Sequence, residues 1–248
     1  MKNNKVVSIV LNNFKNDSRV LKENISLQKA GYEVKVVALH EEPLKEFENV
    51  QNIPVHRIKL KSRGWSKHKL IQILKYFELI YRTVKGYKDS DILHCNDLNA
   101  LPIGVLIKFF FNKKVKIVYD AHEYETEING LSGIQKKITK LLEKFLIKYA
   151  DATICVSDAI ANEYIKLHNI AKPALVLNTP PLTKIEKKDI FRKTLNISKD
   201  KTIFLYQGGL SLGRGIEILL DTFKQITDDK SVIVFMGYGP LEELVQTI

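Results

Sequence analysis

The 248-residue sequence predicts an α/β protein built on doubly wound, mostly parallel sheets. Three observations carry this expectation. Strand-length apolar runs alternate with helix-period patterns along the whole chain. Several runs are apolar almost throughout, as strands covered on both faces of a parallel sheet are. The alternation then starts afresh after a double proline, so the chain reads as two such units in series.

In order, the predicted strands cover 6–11, 33–39, 55–60, 91–95, 115–119, 152–156 and 174–177, followed by 202–206 and 231–236. A first helix is indicated by Val20, Leu21, Ile25 and Leu27, with Asp17 or Ser18 as N-cap and Gly31 as terminator. A second carries apolar positions 70, 73, 74, 77, 80, 81 and 84. A third spans 98–111, a fourth carries 134, 138, 141, 142 and 145, and a fifth spans 158–168. Asn178-Thr179-Pro180-Pro181 breaks the pattern, since two prolines continue neither a helix nor a central strand. A glycine-rich loop and a helix over 214–225 then join the last two strands, and a further helix opens near 240. The expected organisation is a first domain over 1–178, a linker over 179–200, and a partial second domain over 201–248. The 66 residues from 183 onward fall short of the roughly 100–150 of a complete doubly wound domain, so the second unit reads as incomplete.

Composition narrows the function classes. With 45% apolar and 27% charged residues, the chain is globular rather than disordered. Two cysteines, Cys95 and Cys155, sit far apart in apolar runs, which excludes a disulfide framework and a Cys-based zinc site and fits a reducing cytoplasm. No signal-peptide core opens the chain, and the longest nearly apolar stretch, 101–111, is too short to span a bilayer. The net charge is +11, and it is uneven: residues 1–200 carry 35 cations and 22 anions, residues 201–248 only 4 and 6. Within 57–88 ten cations face one acid, Glu78, and a second basic segment, 136–148, sets five lysines against Glu143. Such a surface suits an anionic partner. The amphipathic stretch within 57–88, with Trp65, Tyr76 and Tyr81, suits an anionic membrane surface and suggests peripheral attachment at the inner face. No nucleic-acid-binding motif is present, and none is expected as a partner.

Four constellations could carry chemistry. In Tyr206-Gln207-Gly208-Gly209-Leu210-Ser211-Leu212-Gly213-Arg214-Gly215 a buried strand runs through glycines into a helix. Glycines let the backbone approach a bulky anion, the helix N-terminus offers free N–H groups, and Arg214 adds a fixed charge suited to a phosphate. Tyr119-Asp120-Ala121-His122-Glu123 ends a strand, the edge of an open α/β sheet where ligands bind. His122 is the candidate donor to a substrate oxygen, Glu123 a weaker contact, and Asp120 reads as a turn former. The loop 12–19 also lies at that edge. Arg19 there opposes the helix dipole, which leaves it a weak structural motive and makes it a candidate substrate contact. Asn96 and Asp97, after another strand, are contacts or loop caps. Asp89-Ser90-Asp91 precedes its strand, at the wrong edge for a ligand, and reads as a turn. No His or Cys spacing suggests zinc, no metal is expected, and Ser, His and Asp are too scattered for a hydrolase triad.

These residues resemble the retaining, GT-B-fold glycosyltransferases of family 4. The opening "LNNFKNDSRVLKENISLQKAGYEVKVVAL" is similar to the family's first β–α–β unit. "DILHCNDLNALPIG", "IVYDAHEYE", "ADATICVSDAIANEY", "LVLNTPPL", "IFLYQGGLSLGRGIEILLDTF" and "FMGYGPLEELV" follow in the family's order. The resemblance implies two Rossmann-like domains and transfer of a sugar, with retention, from a nucleotide-sugar to a glycan or lipid-linked acceptor. It places this in surface polysaccharide or glycoconjugate synthesis and needs no cofactor. It implies that His122 faces the donor sugar as the catalytic residue, that Gly208 and Gly209 form the turn beneath the donor, and that Arg214 holds its diphosphate. The sequence departs at Gly209, where many members carry an arginine, and the family's paired-glutamate segment would lie beyond Ile248. The alternatives are another enzyme of the same fold, such as a nucleotide-sugar epimerase, or an inactive fragment that binds acceptor or membrane only.

Overall fold

A computed structural model describes residues 4–124, 132–180, 182–184, 186 and 188–247. Pro181 of the predicted break, the first three residues and Ile248 lie outside them. The chain divides into two compact units, Met1–Pro180 and Pro181–Ile248. The expected boundary at 178 is close to this division. The expected linker over 179–200, however, contains a short helix, α6 (Ile190–Leu195).

The first unit holds β1 (Lys5–Ile9), α1 (Ser18–Lys29), β2 (Glu33–Leu39), β3 (Phe47–Val50), β4 (Ile53–Ile58) and α2 (Lys69–Tyr87). It continues through β5 (Ile92–Asn96), α3 (Leu101–Phe110), β6 (Lys116–Ala121), α4 (Gly133–Leu146), β7 (Ala152–Cys155), α5 (Asp158–His168) and β8 (Ala174–Leu175). The strands form one sheet in the order β3-β4-β2-β1-β5-β6-β7-β8. Every pairing is parallel except β3 with β4. From β1 the chain first builds outward through β2 and β4. It then returns through α2 to β5 on the other side, so the sheet reverses direction between β1 and β5. Ligands of such sheets bind beyond the strand ends at this reversal.

β3 was not legible in the sequence. It joins β4 through Gln51 and Asn52, both with positive φ (49° and 68°), a two-residue hairpin of the type whose twist matches the strands. Asp17 is the N-cap of α1, accepting from the Val20 amide at 3.1 Å.

Alternation along the strands splits the core. On one face Val7, Ile9, Leu93, Cys95, Ile117 and Tyr119 pack with side chains of α2, α3 and α5. On the other, Val10, Val36, Ala38, Ile53 and Val55 pack with Val20 of α1 and with Phe14. Over Ile92, Val118 and Ile154 that second face opens into a mostly apolar groove of about 730 Å³. Cys95 and Cys155 are both buried free thiols.

The second unit pairs β9 (Thr202–Gln207) and β10 (Ser231–Met236) in parallel and adds α6, α7 (Ile216–Gln225) and α8 (Glu242–Gln246). Leu210, Ile216 and Leu220 form its buried cluster, with Tyr206, Phe235, Leu241 and Val245 packed on it.

Candidate functional site

The loop after β1 is shaped by its asparagines. Asn12 Oδ1 accepts from the Phe14 amide at 2.8 Å and Asn13 Oδ1 from the Lys15 amide at 3.0 Å. These short side-chain turns let Phe14 adopt a φ of 52° and bury its ring in the core. Arg57, in β4 and fully buried, donates from Nε to the Asn13 carbonyl at 2.8 Å and from Nη1 to Glu48 at 2.7 Å. Arg57 therefore serves the loop and is not part of the basic surface expected over 57–88.

Between α1 and the sheet lies a buried charge network at the reversal point. Arg19 donates from Nη2 to both oxygens of Asp120, at 2.9 and 3.2 Å, and from Nη1 to the Val176 carbonyl at 2.7 Å. It also pairs with Glu23 at 3.1 Å. His94 Nε2 lies 3.4 Å from Asp120 and 4.0 Å from Glu23. Asp120 is fully buried on β6 and is not the turn former the sequence suggested. Arg19 is committed to Asp120 and to the 176 carbonyl, so its structural motive is strong after all. Its substrate role is reduced to one edge of the pocket described below.

His122 follows β6 directly. Its Nε2 lies 3.2 Å from Asn96 Oδ1 and 3.6 Å from Asp120, and its Nδ1 lies 3.3 Å from Asp97. Asn96 is buried and donates to the Ile9 and His94 carbonyls, so it holds the imidazole from behind. Asp97 takes a φ of 65° and donates its amide to the Asp120 carbonyl at 2.9 Å. Sequence reasoning thus named His122, Asn96, Asp97 and Arg19, which the fold gathers at one edge. It missed Glu23 and His94. The available signal was His94 at an inward position of an apolar strand, where a polar side chain needs a partner.

Burial opposes charge on all three of these titrating groups. At His122 it is outweighed by Asp120 and Asp97, and the pKa is raised. At Asp120 it is outweighed by the imidazoles of His122 and His94, 3.6 and 3.4 Å away, and the carboxyl is held well below the usual range. At Glu23 burial dominates and Asp120 repels a second anion, so the pKa rises to about 8. The network therefore favours the charged form of His122 and the protonated form of Glu23 relative to their ordinary behaviour. Among the described residues, Glu23, His94 and Asp120 could converge on a cation within 4.8 Å, yet Arg19 already faces both carboxylates. Above this network a pocket of about 440 Å³ opens, lined by Asn12, Asn13, Asn16, Asp17, Ser18, Arg19, His122, Glu123 and Asn178. Glu123 is exposed at its rim.

In the second unit the glycine-rich turn follows β9. Gly208, at φ 153°, donates its amide to the Met236 carbonyl at 3.1 Å, and Leu210 donates to Tyr238 at 3.0 Å. The loop after β10 lies so close that a Cβ on Gly237 would sit 1.8 Å from the Gly208 carbonyl oxygen. Gly209, in contrast, has open space around its missing side chain. Gly215, at φ 75°, caps α7, and no side chain caps its free amides. Arg214 is exposed beside that helix end, with Glu217 in the first turn.

The structure is similar to sucrose-phosphate synthase from Thermosynechococcus elongatus, with TM-score 0.76 at 16% identity, covering 98% of this chain and 67% of that one. It is similar also to HepE from Anabaena, solved with UDP and glucose (TM-score 0.62, 15% identity, 98% of this chain and 64% of that one). These likenesses place the chain in the GT-B class of α/β folds. The sequence profile of Glycosyltransferase Family 4 matches residues 25–179, and the chain belongs to that family. Two uncharacterized glycosyltransferases of Methanocaldococcus jannaschii are similar to it, 23% identical over 238 residues and 26% over 233. The alignments cover 90% and 88% of this chain but only 58% and 55% of the relatives.

Proposed function

We propose that this chain belongs to an enzyme that transfers a sugar from a nucleotide-sugar to an acceptor hydroxyl, with retention. The acceptor is a glycan or a lipid-linked one, and the setting is the synthesis of surface polysaccharide or glycoconjugate. The observation that carries the reading is the pairing with Asn96, Asp97 and Asp120 that orients His122, and favours its charged form, at the carboxyl edge of a family 4 sheet. In this reading His122 donates a hydrogen bond to the donor sugar. Arg214 and the free amides at the start of α7 hold the donor diphosphate, with Gly208 and Gly209 beneath it. Charge grows on that diphosphate as the glycosidic bond breaks, so fixed donors there act on the transition state. A leaving-phosphate oxygen takes the proton of the attacking hydroxyl on the same face. The nucleotide-sugar enters as substrate and no cofactor is invoked. The reading includes peripheral attachment to an anionic membrane through 57–88, on the inner face. Among the described residues no helix is long and apolar enough to cross a membrane.

The test incubates the chain with nucleotide-sugars and acceptor glycans and follows release of nucleoside diphosphate. Glycosylated acceptor is the expected product, with His122→Ala slowing release by about 100-fold. Conversion of the donor to another nucleotide-sugar without acceptor would replace this reading with an epimerase.

A further inference from the structure

Helix α4 is mounted with its polar side inward. Its buried residues are Glu143 and Leu146. Glu143 accepts from the Tyr119 hydroxyl on β6 at 2.7 Å and from the Tyr164 hydroxyl on α5 at 2.6 Å, which fixes the helix on the sheet. Ile134, Ile138, Leu141 and Phe145 recur at the spacing of one helical face, and they are 76, 60, 70 and 57% exposed. An ordinary surface helix hides such a stripe. Among the described residues nothing packs over it. The stripe runs into an aromatic ledge: Phe145 and Phe109 both meet Tyr149 edge-on, at 5.5 and 4.8 Å, and Phe110 and Phe111 are exposed at the end of α3.

Charge selects the partner. Lys137, Lys144 and Lys148 line one flank of the stripe, and all three are exposed. The single acid of the helix, Glu143, is turned away from it. A protein groove would need matching acids at fixed points along that flank. A bilayer supplies phosphates in a plane directly above hydrocarbon, which fits lysines beside an apolar stripe without further design.

We propose that α4 and the aromatic end of α3 lie in the headgroup region of an anionic lipid membrane. The apolar stripe enters the acyl boundary and the lysine flank meets lipid phosphates. This rests on the peripheral-membrane reading above and moves its centre from 57–88 to α4. Within 57–88 several cations are occupied internally: Arg57 by Glu48, Arg82 by Glu78, and Lys75 by the Arg63 and Trp65 carbonyls.

The experiment is co-sedimentation of the 248-residue chain with phosphatidylcholine vesicles, with and without phosphatidylglycerol, at low and high salt. Wild type should bind the anionic vesicles and lose binding as salt rises. Ile138→Glu with Leu141→Glu should lower partitioning by roughly tenfold or more, and Lys137→Glu with Lys144→Glu, which leaves every buried contact in place, should do the same. Leu74→Glu with Phe77→Glu, on the exposed side of α2, should lower binding less than either α4 variant does. Unchanged binding of both α4 variants overturns the proposal. Loss confined to the α2 variant overturns it while keeping the 57–88 reading, and no vesicle binding by wild type removes both. Self-association abolished by Ile138→Glu with Leu141→Glu, without lipid binding, assigns the stripe to a second copy instead.

Discussion

At the scale of single residues, Asp120 decides how His122 behaves. Its carboxylate faces Arg19, His94 and His122 together, and it is fully buried. Asp120→Asn keeps the shape and removes the charge, so the His122 pKa should fall, which an NMR titration of the imidazole reads directly. An unchanged titration would assign the raised value to Asp97 alone. The same substitution breaks a buried ion pair and should cost about 3–5 kcal/mol of stability, measured by urea unfolding. Glu23 adds a pH dependence whose sign follows from its raised pKa. Between its ordinary value of 4.5 and about 8, the folded chain binds more of this proton than the unfolded chain does. Stability from Glu23 is therefore fully present below that window and is lost as pH rises through it. His122, also raised, acts in the same direction above its ordinary value, while depressed Asp120 withdraws stability only in strong acid. His56 and His168, whose pKa values burial lowers, act in the opposite direction near their ordinary value, so the reading is the difference between wild type and Glu23→Gln, which mimics the protonated acid. Between about pH 5 and pH 8 the urea midpoint of wild type should fall relative to that of Glu23→Gln, and parallel pH profiles of the two proteins would contradict the raised pKa of Glu23.

At the scale of elements, the sequence was most legible where pattern and packing agree. The α1 cap at Asp17, the parallel strands and the strand–glycine–helix passage into α7 all follow from local signals. What escaped was set by partners distant in sequence. The hairpin at Gln51-Asn52 lacks the glycine that usually announces such a turn, and Asp120 shares its strand with apolar neighbours while its partner Arg19 is 101 residues away. The glycine turn of the second unit divides in the same way. Gly237 is fixed by close approach to the Gly208 carbonyl, and Gly237→Ala should loosen the turn, seen as faster hydrogen exchange over 206–225. Gly209 has room for a side chain. If this turn holds a diphosphate, Gly209→Arg should tighten UDP binding and Arg214→Ala should weaken it by about tenfold or more, read by calorimetry. Equal affinity in all three proteins would remove the turn from the donor site.

At the scale of the whole chain, the two units differ in how well their sheets are covered. The first has eight strands and two extensive apolar clusters. The second has a two-stranded parallel sheet, a form that lacks the flanking strands on which parallel pairing depends. Its buried apolar side chains among the described residues are Leu210, Ile216, Leu220 and Val234, while Phe204 and Leu205 on β9 stay exposed. Helix α6 buries none of its residues. The second unit should therefore open at a lower free energy than the first, and the chain should not unfold in one step. Limited proteolysis checks this, with early cuts expected within 181–248 and a resistant fragment ending near Pro180. A nucleoside diphosphate bound by the folded unit alone would raise its stability by about 2.7 kcal/mol at a hundredfold excess over Kd. Added UDP should thus slow the cuts over 206–225 in wild type and slow them less in Arg214→Ala. A single cooperative transition, with cuts spread equally over both units and no response to UDP, would show that the second unit is stabilised by something other than its own small core and its ligand.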